Sequence, residues 1–232
     1  MNSPFSRRHF HQELDLLQAR LMEMAGLAEE LVHRAVQAFL NRDADAVGNI
    51  LRDDRRIDAL EVALDERVVE LIALHQPMAR DLRQLFTTLK ICNDIERVGD
   101  HATNIGKAAG RLSGHPPLPE IPEFAELADL AQLMLQDSLA AYGTRNSALA
   151  RNVCVRDDRV DEMRKTVQRL LVDLMSRDPR RISSALEYLR VAQQLERIGD
   201  LSTNISEEVV FLVEGRTIKH HAESRRIGEE LL

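Results

Sequence analysis

Glu96-Arg97-Val98-Gly99-Asp100-His101-Ala102-Thr103-Asn104-Ile105 returns as Glu196-Arg197-Ile198-Gly199-Asp200-Leu201-Ser202-Thr203-Asn204-Ile205, with seven of ten positions identical at an offset of 100 residues. A chain of 232 residues that repeats itself at this distance is two copies of one unit. The residues kept in both copies are mostly polar, so core packing alone does not account for them. The decapeptide therefore marks both the fold and the first place to look for a site.

Working outward, apolar residues recur at helical spacing on both sides of each copy. Leu14, Leu17, Leu21, Met24, Leu27, Leu31 and Ala35 predict a first helix over 7–40, and Ile57, Leu60, Leu64, Val68 and Leu71 a second ending near Leu74. Asn41-Arg42-Asp43 is the turn between them, with Asp43 as an N-cap candidate. Pro77 disfavours helix at the residue before it, so a third helix runs from about Met78 to Leu112. Ser113 to Pro119, with Pro122 close behind, is the linker. The second half repeats the plan over about Glu123–Tyr142, Ser147–Met175 and Arg180–Val213, and a polar tail follows at 216–232. The expectation is an all-α protein of six long antiparallel helices in two three-helix bundles, 1–115 and 120–232.

Composition narrows the function. Net charge is −7, there is no Trp, and no basic stripe is interleaved with aromatics, which argues against nucleic acid. Cys92 and Cys154 form no CxxC and read as reduced, buried thiols. No apolar run approaches the ~18–20 residues of a membrane span and no signal segment opens the chain. The expectation is a cytoplasmic protein.

On the third helix Ile91, Ile95, Val98, Ala102, Ile105 and Ala109 form the core seam, while Asn93, Glu96, Asp100 and Asn104 lie roughly opposite. The sixth helix sets Val191, Leu195, Ile198, Ile205 and Val209 against Gln193, Glu196, Asp200 and Asn204. Glu and Asp at i, i+4 stand about 6 Å apart along the axis and repel each other. Gly99 and Gly199 sit mid-helix at a cost of about 1 kcal/mol each relative to Ala. A hard cation would supply the reason to hold such acids together. Asp54 and Asp58, and Asp157 and Asp161, repeat the i, i+4 spacing on the preceding helices, within the related strings Arg52-Asp53-Asp54-Arg55 and Arg156-Asp157-Asp158-Arg159. Asp54, Asp58, Glu61 and Asp65 flank their apolar stripe and can meet the third helix across the groove. Oxygen donors from two helices suit Mg, Mn or Fe.

Other residues carry less. Glu30-Leu31-Val32-His33 is a single Glu-x-x-His where a di-iron bundle needs two. His9, His11, His220 and His221 lie near the ends and read as solvated. There is no phosphate loop, nucleophile elbow or Ser/His/Asp set, so a non-enzyme is expected.

At these motifs the sequence resembles the PhoU family. The likeness extends to Phe10–Leu17, Asp54-x-x-Ile57-Asp58, Gln76-Pro77-x-x-x-Asp81-Leu82-Arg83 and Val213-Glu214-Gly215. The resemblance implies two bundles related by a pseudo-twofold axis, with multinuclear metal sites (iron or zinc in some members) at the acidic motifs. By position the ligands are Asp54, Asp58, Glu96 and Asp100, then Asp157, Asp161, Glu196 and Asp200, with Asn104 and Asn204 orienting them. The Gln76 to Arg83 turn has no full second copy, only Asp178-Pro179-Arg180-Arg181, so a partner contact through Asp81 and Arg83 belongs to the first half. The resemblance further implies a regulator linking the phosphate ABC transporter's ATPase subunit to a sensor histidine kinase, repressing the response when phosphate is plentiful. Exposed faces of long helices favour a homodimer. The competing expectation is a metal-dependent enzyme or metal store on a carboxylate bundle.

Overall fold

The computed structural model describes residues 4–219, so the tail from 220 onward, with His220 and His221, lies outside the described residues. Six helices are seen: α1 (Pro4–Asn41), α2 (Val47–His75), α3 (Arg80–Leu112), α4 (Pro122–Thr144), α5 (Ser147–Arg177) and α6 (Ile182–Glu214). Among the described residues there is no strand. The expected all-α pair of three-helix bundles is what forms.

Each turn has a local cause. Arg42 and Arg145 leave α1 and α4 in left-handed conformations, φ +58° and +52°, at positions 103 residues apart. Both strained residues are held by their side chains: Arg42 donates to the carbonyls of Leu112 and His115 at the end of α3, and Arg145 to Gln84 at 3.1 Å. Asp43 accepts from the N–H groups of Asp45 and Ala46, which makes it a turn residue before α2 instead of its cap. Asn146 caps α5 by accepting from Leu149. Two starts differ from expectation. Ala79 takes a positive φ of +48°, so α3 begins at Arg80, and a 3-10 turn over Pro179–Arg181 delays α6 to Ile182. Pro122 opens α4 because a first-turn proline has no helical donor to lose.

The two bundles share one core. α3 packs on α1, α2 and α6, α6 packs on α3, α4 and α5, and α1 also meets α4. The expected seam residues are buried, except that Leu27 and Leu60 are half-buried. The scarce aromatics gather where the halves meet, with Phe39, Phe124 and Tyr188 ring centroids 4.7–5.5 Å apart. Lys90–Glu208 at 3.0 Å and Arg111–Glu187 at 2.9 Å cross the α3–α6 seam, with both glutamates nearly fully buried.

Ion pairs within each bundle fix the register of the repeat. Arg34 on α1 meets Asp53 on α2 at 2.6 Å, and Asp137 on α4 meets Arg156 on α5 at 2.5 Å. Each residue lies 103 positions before its counterpart, with the charges exchanged. The offset falls to 100 at α3 and α6, and since both connections, 76–79 and 178–181, are four residues long, the three extra residues of the first half lengthen the flanking ends of α2 and α3.

Candidate functional site

Helix geometry and two glycines build the acidic faces. Gly99 on α3 lets α2 approach closely: a Cβ there would lie 3.0 Å from Asp54 Oδ1 and 3.3 Å from Ile57 Cδ1. At Gly199 the facing residue is Val160, with Cγ1 at 3.3 Å. Ile57 and Val160 are 103 apart, so Asp54 corresponds to Asp157 and Asp58 to Asp161. The Arg-Asp-Asp-Arg strings align one residue out of this register, and Asp53 is bound to Arg34, away from the face.

On the first face, between α2 and α3, Asp54, Glu61 and Glu96 are half-buried while Asp58, Asp65 and Asp100 are exposed. Burial is the main cause that pushes Asp54 up to about 6, followed by the nearby charges of Asp58 and Asp100. Burial pushes Glu96 to about 7, with Asp100, Glu61, Asp58 and Asp54 adding to it. Glu61 is raised by burial and by Asp65, against a hydrogen bond from Asn93. Among the described residues, none of Asp54, Asp58, Glu96 and Asp100 has an ion pair. Besides burial, these carboxylates feel mainly one another, with Lys107 drawing Asp54 part of the way back.

The second face, between α5 and α6, is laid out alike and partnered differently. Thr203 Oγ1 donates to Asp157 Oδ1 at 3.2 Å. Arg197 pairs with Asp200 at 3.2 Å, Arg164 with Glu196 at 3.5 Å, and Lys165 with Asp161 at 3.8 Å. Burial first, then neighbouring acids, raises Asp157 and Asp200 too, while Thr203 and Arg197 pull them back.

Among the described residues no group of three or more His, Cys, Asp or Glu side chains is already gathered so as to hold a metal ion. On the first face burial and neighbouring acids together raise Asp54 and Glu96. Its chemistry nonetheless fits a hard cation: all donors are carboxylates, and Gly99 leaves the space that Asp54 uses.

The remaining candidates fall elsewhere. Asn104 donates to Gln194 Oε1 at 3.4 Å, reaching α6 instead of a carboxylate, and His101 meets the same oxygen at 2.8 Å. The amide that does reach a carboxylate is Asn93, whose bond to Glu61 shows only when α2 and α3 are packed together. Asn204 is half-buried beside Thr203 in a cavity shared with Arg97 and Arg197. Arg83 lies over the Phe211 ring at 5.9 Å and against Gly215, so two motifs far apart in sequence meet. Asp81 is half-buried beside it, and Leu74, Met78, Leu82 and Phe86 are exposed around the same turn, Met78 by 81%. Glu30 and His33 are exposed, and His33 contacts Gln132 at 3.1 Å, so neither reaches a bundle interior. Cys92 is buried against Met24 with its thiol pushed up to about 12, and Cys154 is half-buried. Among the described residues no helix is long and apolar enough to cross a membrane. The buried Asp94, Glu187 and Glu208 at the α3–α6 seam escaped the sequence reading, because neither helix's own periodicity shows the seam.

The same arrangement is found in known proteins. The family model described as PhoU domain matches twice, over residues 21–109 and 124–209. The phosphate-specific transport system accessory protein PhoU homolog of Clostridium acetobutylicum is 36% identical over 92% of this chain and 98% of its own length. The homolog of Caulobacter vibrioides is 38% identical over 91% of this chain and 92% of its own. The crystal structure of PhoU from Pseudomonas aeruginosa superimposes with a TM-score of 0.85 at 35% identity, covering 89% of this chain and all of that one. The phosphate transport system regulatory protein PhoU from Streptococcus pneumoniae gives 0.84 at 27% identity, over 90% and 99% of the two chains. Two matched domains, one on each acidic face, and likeness over nine-tenths of the sequence lead to one conclusion: the chain belongs to the PhoU family.

Proposed function

We propose that this protein is a cytoplasmic, non-enzymatic regulator that represses phosphate uptake and the phosphate-starvation response when phosphate is plentiful. A role in phosphate transport follows from the accessory-protein relatives. The finer reading is that it links the transporter's ATPase subunit to a sensor histidine kinase, acting as a homodimer that binds one state of its partners more tightly than another. The observation that carries the partner contact is the α2–α3 turn, bordered by exposed Leu74, Met78 and Leu82 beside Asp81. An apolar rim of this kind suits a protein partner. Arg83 braces the turn against α6.

The cation-binding part rests on the first face, where Asp54, Asp58, Glu96 and Asp100 would hold Mg, Mn, Fe or Zn with Glu61 beside them. The ion would bring α2 and α3 together electrostatically. A metal-dependent enzyme or store is disfavoured, because these acids line an outer groove and Glu30 and His33 are exposed.

The test is a chromosomal deletion complemented with wild type or Met78→Asp/Leu82→Asp. Deletion is expected to derepress phosphate-starvation genes. The variant is expected to fold, to lose co-purification with the ATPase subunit, and to leave the genes derepressed. Full repression by a variant that no longer binds the ATPase would refute the reading.

A further inference from the structure

The two acidic faces derive from one pattern but differ in counterions. In the register fixed by Ile57 and Val160, Asp54, Asp58, Glu61 and Asp65 on α2 correspond to Asp157, Asp161, Arg164 and Gln168 on α5. Two of the four carboxylates are gone from the second face, and one of them has become a cation. Arg164 reaches α6, its Nε 3.5 Å from Glu196 Oε1, with the two side chains only 28% and 17% exposed. Its Nη1 donates to Gln168 Oε1 at 3.1 Å, so the second replacement steadies the first. Lys165, Arg197 and Thr203 attend to the other three acids.

The counterparts on the first face do none of this, and the one cation felt there is Lys107 on α3, which draws Asp54 down without an ion pair and stands where the second half has Glu207. Glu61 adds a carboxylate where Arg164 stands, and Val62 replaces Lys165. Arg97 turns to Asp94 at 3.5 Å, and Thr103 bonds the Asp100 carbonyl at 2.9 Å instead of a facing carboxylate. An acidic groove that already contains a guanidinium gains little from a further cation, and loses an ion pair by admitting one.

The geometry points to Arg164 as a built-in cation of the second face. A metal ion taken from solution therefore goes to the first face, leaving the second permanently neutralised from within. The metal half of this statement rests on the cation-binding reading above; the Arg164 half does not. The protein is then asymmetric in function despite its repeat: one half responds to divalent cation, and the other stays fixed.

Full-length protein stripped with chelator is titrated with Mn2+ by calorimetry, and its melting temperature is measured without metal. Glu96→Gln/Asp100→Asn is expected to weaken Mn2+ binding at least ~10-fold, and Glu196→Gln/Asp200→Asn less than ~2-fold, since only the first set lacks internal cations. Arg164→Glu/Gln168→Asp, which restores the missing acids, should create a second class of Mn2+ sites. Without metal, Arg164→Gln should lower the melting temperature by about 2–4 °C while Glu61→Gln raises it. Equal loss of Mn2+ from both double variants, or an unchanged melting temperature in Arg164→Gln, would overturn the inference. If wild type takes up no Mn2+ while the two melting shifts keep opposite signs, the built-in cation stands and the metal reading falls.

Discussion

Replacing Gly99 by Ala probes how α2 and α3 are held together. On an isolated helix the change would stabilise by about 1 kcal/mol. In the packed protein the new methyl would lie 3.0 Å from Asp54 Oδ1 and 3.3 Å from Ile57 Cδ1. The carboxylate can swing away, but Ile57 is fully buried and stiff at its branched Cβ, so α2 must back off by a few tenths of an ångström. Overpacking of this kind costs roughly 1–3 kcal/mol. The propensity gain offsets part of it, leaving a net loss of about 1 kcal/mol, or a melting temperature roughly 2–4 °C lower for a chain of this length. Gly199→Ala meets Val160 Cγ1 at the same 3.3 Å on an equally stiff branched side chain but displaces no carboxylate, so its net loss should be no larger, about 0–1 kcal/mol. Thermal unfolding followed by circular dichroism, with both variants stripped of metal, makes the comparison. Because Gly99→Ala also pushes Asp54 outward, its Mn2+ affinity should fall while that of Gly199→Ala is kept. A Gly99→Ala protein that gains the full helix-propensity increment would show that the close approach at Gly99 is not a packing requirement.

Three further outcomes are expected. Since the halves carry Arg34–Asp53 and Asp137–Arg156 in exchanged order, Arg34→Asp/Asp53→Arg should regain most of the ~1–2 kcal/mol lost in either single reversal, as a double-mutant cycle on chemical denaturation would show. Gly215→Ala combines a left-handed φ of +71° with a collision against the Arg83 guanidinium, and should cost about 1–3 kcal/mol by the same assay. In metal-free protein Asp54 and Glu96 titrate at about 6 and about 7, above their unfolded values of 3.8 and 4.5. The folded state then binds more protons between pH ~4 and ~7, so stability falls as pH rises through that window and Glu96→Gln should flatten the fall.

The six helices were legible because their apolar periodicity is strong and their breaks carry Pro, Gly or Asn. The acidic faces were legible through Glu96/Asp100 and Glu196/Asp200, repeated at a constant offset. The pairing of α2 with α5 was harder to read: Arg52-Asp53-Asp54-Arg55 and Arg156-Asp157-Asp158-Arg159 suggest an offset of 104, and the packing at Gly99 and Gly199, with the ion pairs Arg34–Asp53 and Asp137–Arg156, selects 103. That single residue decides whether Arg164 faces the site. The orienting role of Asn104 was an implication of the family resemblance, and its contact with Gln194 on α6 is one that the pattern of a single helix does not show. The seam between α3 and α6, with its buried Asp94, Glu187 and Glu208, is a contact between repeats and leaves no mark within either. The ends of α3 and α6 shifted for local reasons, a positive φ at Ala79 and a 3-10 turn after Asp178.

The most direct measurement is anomalous diffraction from crystals of untagged protein grown with Mn2+. The account predicts anomalous density between α2 and α3, within coordination distance of Asp54 and Glu96, and none between α5 and α6 beside Arg164. Density of equal strength on both faces, or on neither, would contradict it.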